Sequence, residues 1–229
     1  SFVKLMNEKA KSLGMNNTNF INTTGLDEEG QYSTVNDVAI LLKEALKNEK
    51  FREIFEVSSY TFTDKSITVH STVRKTAKNY NYEIDYIKGA KTGYTYAAGK
   101  CLASVALDEK NNIEYLLVTT NASTNTNDAY HVKDAVTIYN YYFDNYKYHN
   151  LVNKGDLVLK LKTKYGKEEN INIYAQEDIT YYLNNNFNKD NVQLKYIGTE
   201  IVTTNMKKGT KLGKIEVIYN NEVLHTFEI

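Results

Sequence analysis

Apolar positions fall into helical spacing at the start of the chain. In "FVKLMNEKAKSLGM", Phe2, Leu5, Met6, Ala10 and Leu13 recur at intervals of three and four, which predicts a helix, and Gly14 sits where a helix C′ glycine belongs. "NNTNFINTTGLDEEGQ" has no such period and reads as a loop. "STVNDVAILLKEALKN" returns to helical spacing through Val35, Val38, Ala39, Leu42, Ala45 and Leu46. Thr34 is its expected N-cap, with Asp37 three residues on as a variant of the capping box. A short helix is expected near Phe51–Phe55.

The pattern then becomes strand-like. Residues 57–63 and 66–70 carry β-branched and aromatic types and suggest a hairpin, and "YIKGAKTGYT" holds a further strand. "CLASVAL" and "IEYLLVTT", separated by "DEKNN", read as an antiparallel pair. Neither alternates cleanly, which suits a sheet covered on both faces. After the polar loop "NASTNTN", Ala129, Val132, Ala135, Val136, Tyr139, Tyr142 and Phe143 mark a helix over 129–143, and the tyrosines of 139–148 are expected on one helix face. Beyond residue 150 the period shortens to two in "LVLKLKT" and through much of "KIEVIYNNEVLHTFEI", with Asn220-Asn221 as a hairpin turn. These features predict an α+β first domain over 1–148 and a small β-sandwich over 149–229, with the boundary near residues 147–153.

Composition narrows the function classes. Lys+Arg and Asp+Glu both total 28, so the formal net charge is zero and no nucleic-acid partner is expected. No apolar run approaches the roughly 20 residues of a membrane span. Cys101 is the only cysteine, so an internal disulfide and a cysteine metal cluster are excluded; on its apolar strand it reads as a buried structural residue. His70, His149 and His225 show no ligand spacing, and neither a metal nor another cofactor is expected. Asp27, Glu28 and Glu29 read as a solvated loop.

Lys91-Thr92-Gly93 is the candidate chemical motif. A strand lysine presents a fixed cation, the Thr hydroxyl can donate to a carboxylate, and glycine lets a ligand approach the backbone. The tripeptide alone equally fits a surface lysine before a turn glycine. Its context separates the two. "FVKLMNEKAKSLGMNNTNFINTTGL", "YSTVNDVA" and "GAKTGYTYAAGKCL" occur in this order, and with them the chain resembles the low-molecular-mass penicillin-binding proteins, the serine-type D-alanyl-D-alanine carboxypeptidases. The likeness is dense over residues 2–107, looser to 145, and returns in "KKGTKLG" at 207–213.

The resemblance implies a partial β-lactamase/penicillin-binding-protein-like domain, an antiparallel sheet with helices, ahead of the β-rich domain. It implies serine acyl transfer on peptidoglycan stem peptides ending in D-Ala-D-Ala, β-lactam binding in the complete protein, and action on the extracytoplasmic face of a bacterial membrane or in the cell wall. The family site combines Ser-x-x-Lys, Ser-x-Asn and Lys-Thr-Gly. By the match, Lys91 contributes electrostatics and proton transfer and Thr92 holds the terminal carboxylate. Gly93 gives the substrate room along the strand. The Tyr94 N–H is an oxyanion-hole donor, and Thr95 completes the substrate-binding strand. His131 stands near where relatives carry an arginine that assists carboxylate binding; the alternative is a histidine on the helix surface.

The other two motifs precede the matched region in the family. The only Ser-x-x-Lys string is Ser1–Lys4, inside the helix that follows Ser-x-Asn in relatives, and the string Ser123–Asn125 comes after the Lys-Thr-Gly strand. Neither fits its role. The expectation is therefore a C-terminal part without its nucleophile, inactive by itself. The alternative is a non-catalytic module that binds cell wall or a partner. An open sheet edge and uncovered apolar surface should favour self-association, a swapped arrangement or an accompanying N-terminal fragment.

Overall fold

In the computed structural model, which describes residues 1–64, 66–124 and 127–229, Ser1 caps the first helix by accepting the Lys4 N–H on its hydroxyl at 3.4 Å. Helix α1 (Phe2–Ser12) ends at Leu13, and Gly14 follows at φ +84°, a left-handed conformation that costs glycine no steric clash. The loop beyond it is tied by an isolated antiparallel bridge between Asn19 and Tyr32. In α2 (Val35–Ala45) the Thr34 hydroxyl accepts the Asp37 N–H at 3.1 Å. Asp37 does not complete the expected capping box. Its buried carboxylate accepts the Asn17 N–H at 2.8 Å and the Thr18 hydroxyl at 2.7 Å instead, so it pins the preceding loop to the helix.

Next come α3 (Glu49–Glu56), the paired strands β1 (Ser59–Thr61) and β2 (Thr68–His70), and α4 (Thr72–Tyr80). The sequence reading missed α4, because "TVRKTAKNY" buries only Val73 and Ala77, too few to show a stripe. The central sheet is β3 (Ile87–Thr95), β4 (Gly99–Asp108) and β5 (Ile113–Ala122), antiparallel in that order, followed by α5 (Tyr130–Asn145). Strand β4 does alternate once both covers are considered. Leu102 and Ala106 pack with Val73, Ala77, Val132, Ala135 and Tyr139 on one face, while Val105 packs with Leu42 and Leu46 on the other. Buried Ser104 joins the first face through a 2.9 Å hydrogen bond with the Tyr139 hydroxyl. Gly89 lets α3 approach β3, since a Cβ there would stand 2.4 Å from the Phe55 ring.

The described residues form two compact units, Ser1–Asp144 and Asn145–Ile229. The second contains β6 (Tyr146–Val152), β7 (Leu157–Lys164), β8 (Asn170–Tyr174), β9 (Ile179–Asn184), β10 (Val192–Gly198), β11 (Ile201–Thr203), β12 (Gly213–Tyr219) and β13 (Glu222–Glu228). They make three small sheets: β6 with β9, β7 flanked by β8 and parallel β11, and β10-β12-β13. Leu151, Val152, Val158, Ile179, Ile215 and Val217 form their common core. Asn220 and Asn221, at φ 48° and 66°, make the primed turn between β12 and β13. Tyr146 and Tyr148 lie on β6 rather than on a helix face, because α5 stops at Asn145. The chain is thus α+β, a helix-covered antiparallel sheet followed by a β-rich unit. No helix among the described residues is long and apolar enough to cross a membrane.

Candidate active site

Strand β3 is an outer strand of its sheet, so one of its edges has no strand partner among the described residues. Its register against β4 sets Lys91 opposite Ala103, Thr92 opposite Leu102, Gly93 opposite Cys101, Tyr94 opposite Lys100 and Thr95 opposite Gly99. Side chains alternate along a strand. Thr92 and Tyr94 therefore share the Leu102 face, over which α5 packs, and Lys91 and Gly93 share the opposite one.

An open cleft of about 560 Å³ borders this strand, lined by Thr72, Lys91, Thr92, Gly93, Tyr94, Lys100, Thr124 and His131. It brings together five of the six residues singled out from sequence: Lys91, Thr92, Gly93, Tyr94 and His131. Thr95 is not in the lining. Its hydroxyl accepts the Ala98 N–H at 3.1 Å and shapes the hairpin turn. Three lining residues were missed. Lys100 could have been found from the short "YAA" turn, whose register sets it opposite Tyr94. Thr72 opens the unrecognised α4, and Thr124 ends the polar loop segment described after β5.

His131 is not a surface residue of its helix. It is only 8% exposed, and its buried Nδ1 has no hydrogen-bond partner among the described residues. Burial holds its pKa below the ordinary value, and the Lys100 charge lowers it further, against an opposing pull from Asp134. The imidazole is accordingly neutral at pH 7 and can take or give one hydrogen bond. The Lys91 ammonium donates to the Thr92 carbonyl. Among the described residues no carboxylate lines the cleft. Two cations, hydroxyls and a neutral imidazole suit an anionic ligand.

The remaining candidates sort by contact. The Ser1 hydroxyl serves as helix cap and the Lys4 ammonium lies 3.7 Å from Glu8, so that string forms no Ser–Lys pair. In the Ser123–Asn125 string, Asn125 lies outside the described residues. Cys101 is half-buried rather than buried, because its partner across the strand, Gly93, has no side chain to cover it. Asp27 is more than a solvated acid: its carboxylate accepts the Ala97 N–H at 3.2 Å and ties its loop to the β3–β4 turn.

Comparison with known proteins gives two family matches. Residues 1–124 match the D-alanyl-D-alanine carboxypeptidase model, and residues 146–229 match the penicillin-binding protein 5 C-terminal domain. The chain is 34% identical to D-alanyl-D-alanine carboxypeptidase DacF of Bacillus subtilis, over 97% of this chain and 56% of that protein. It is 38% identical to the D-alanyl-D-alanine endopeptidase of Escherichia coli, over 44% of this chain and 33% of that protein. Among solved structures it resembles penicillin binding protein 5 from Haemophilus influenzae, with a TM-score of 0.62 and 21% identity over 99% of this chain and 63% of that one. It also resembles the D-alanyl-D-alanine carboxypeptidase DacD of Francisella tularensis, with a TM-score of 0.67 and 18% identity over 99% of this chain and 66% of that one. The chain thus spans little more than half of the B. subtilis relative.

Proposed function

Since this chain belongs to the D-alanyl-D-alanine carboxypeptidase family, we propose that it forms the carboxylate-binding wall of a serine acyl-transfer site for peptidoglycan stem peptides ending in D-Ala-D-Ala. The observation that supports this reading is the cleft where Lys91, Thr92, Gly93, Tyr94 and His131 meet without any acid in the lining. In this reading a serine attacks the carbonyl of the penultimate D-Ala. The C–N bond breaks, the terminal D-Ala leaves with a proton on its nitrogen, and water then hydrolyses the acyl-serine. Thr92 donates to the substrate's terminal carboxylate, and Lys91 supplies positive potential and assists proton transfer. Gly93 keeps the strand open to the peptide, Thr95 extends the substrate-binding strand to its turn, and the Tyr94 N–H serves the developing oxyanion. His131 adds a neutral donor at the carboxylate end. We assign residues 1–148 to a partial catalytic domain and 149–229 to a non-catalytic β-rich domain. The place of action is the extracytoplasmic face of a bacterial membrane or the cell wall, and β-lactams occupy the same cleft in the complete protein.

The 229-residue chain by itself is proposed not to acylate, because no Ser-x-x-Lys and Ser-x-Asn pair stands ahead of Lys91 in family order. Incubation with a labelled penicillin and mass spectrometry should give no adduct; a stoichiometric adduct on any serine would overturn this. The same outcome keeps the second reading, a cell-wall-binding or partner-binding module, in play for the isolated chain. In a protein that also carries those two motifs, Thr92→Val should lower kcat/KM on a D-Ala-D-Ala peptide by roughly 10–100-fold, the loss of one hydrogen bond to a charged group. Unchanged efficiency would remove Thr92 from the carboxylate site.

A further inference from the structure

Strand register places a second cation where the motif itself puts none. Thr92 pairs with Leu102 and Tyr94 with Lys100, so Lys100 is the diagonal neighbour of Thr92 on the same face of the sheet. Such neighbours have Cα atoms about 7–8 Å apart, within reach of a long side chain. Lys91 leaves from the opposite face and donates to the Thr92 carbonyl. Lys100 and His131 border the same cleft as Thr92, and Lys100 lies close enough to depress the protonation of the His131 ring. Among the described residues Lys100 has no carboxylate partner, and no acid lines the cleft to neutralise it. A half-buried lysine with no carboxylate partner among the described residues, beside a hydroxyl donor and a buried imidazole whose Nδ1 has no partner among them, is arranged to receive an anion.

We propose that Lys100 is a substrate-binding residue that pairs with the terminal carboxylate held by Thr92, and so sets the preference for a free C-terminal acid. The proposal rests on the assignment of Thr92 above. It gives the two lysines separate tasks, Lys91 toward the reacting centre and Lys100 toward the carboxylate. His131, kept neutral first by burial and then by the Lys100 charge, adds no charge of its own on that face.

The test is a binding measurement, independent of any nucleophile. N-acetyl-D-alanyl-D-alanine and its C-terminal amide are titrated into the ¹⁵N-labelled 229-residue chain and followed by amide shifts. At about pH 8 His131 is uncharged with or without Lys100. The wild-type chain should prefer the acid over the amide. Lys100→Met should weaken acid binding roughly tenfold and leave the amide unaffected, whereas Lys100→Arg should retain the preference. The shift pattern away from the cleft reports whether each variant is folded. If Lys100→Met disturbs it, Lys100→Gln is judged by the same acid-to-amide ratio. A wild-type chain without acid preference overturns the proposal, as does a charge-removing variant that keeps it. Thr92→Val separates this idea from its premise. Loss of preference with Thr92→Val but not with Lys100→Met leaves the site assignment standing and removes Lys100. Loss with Lys100→Met alone keeps Lys100 and removes Thr92.

Discussion

Burial decides what His131 is. It stands four residues before Ala135 and eight before Tyr139, so it lies on the buried stripe of α5, yet its polar type hides it from a count of apolar positions. Helical spacing was the available signal, whereas its unpartnered Nδ1 was not visible in sequence. Lys91, Thr92 and Gly93 were legible because their chemistry lies in one contiguous strand; Lys100 was not, because it joins them only through the fold of the hairpin. The depressed pKa of His131 has a stability consequence. The unfolded imidazole takes up a proton near the ordinary 6.5, before the folded one does, so its contribution is intact above 6.5 and is lost as pH falls toward the lower folded value. Lys100 on β4 favours the neutral ring and Asp134 on α5 opposes it. His149 in the second unit is depressed by burial and by Lys147, with the same sign. The melting temperature of the first unit should therefore drop as pH falls below about 6.5, and His131→Gln should flatten that dependence. An identical slope in the variant would show that the ring does not titrate on unfolding.

At the scale of elements, the strands of the sheet were legible because turn residues bound each apolar run. The α4 helix was not, since its helical identity comes from packing Val73 and Ala77 against the sheet rather than from its own pattern. The two glycines of the β3 motif illustrate the difference between packing and access. A Cβ on Gly89 would stand 2.4 Å from the Phe55 ring and 2.9 Å from the Phe55 carbonyl oxygen. A Cβ on Gly93 would meet only the Cys101 Cβ, at an ordinary 3.9 Å. Gly89→Ala should thus cost about 1–3 kcal/mol by forcing α3 away from β3. Gly93→Ala should change stability by no more than about 0.5 kcal/mol. It should still weaken binding of an acyl-D-Ala-D-Ala peptide, because the new methyl group enters the cleft. Equal denaturation midpoints for the two variants would contradict this division.

Across the whole molecule, the change from helical to alternating spacing announced a second architecture, while the pairing of β11 parallel to β7 came from long-range packing that no local period encodes. Each unit owns its core. Ile215 and Val217 are fully buried in a core made with Leu151, Val158 and Ile179. A segment covering 145–229 should therefore fold alone, with dispersed amide shifts and one cooperative transition. Ile215→Ala should destabilise it by about 2–5 kcal/mol. In the first unit Phe2 and Leu5 on α1 are 68% and 58% exposed, Leu26 is 66% exposed, and β3 has an edge with no strand partner among the described residues. Exposed apolar side chains and free strand edges both drive association. Light scattering should accordingly show concentration-dependent growth for the intact chain and a monomer for 145–229. Replacing Phe2 and Leu5 together by Lys should suppress that growth without lowering the melting temperature, since both side chains already face water. Association that persists in this double variant, or that appears in 145–229 alone, would place the adhesive surface elsewhere.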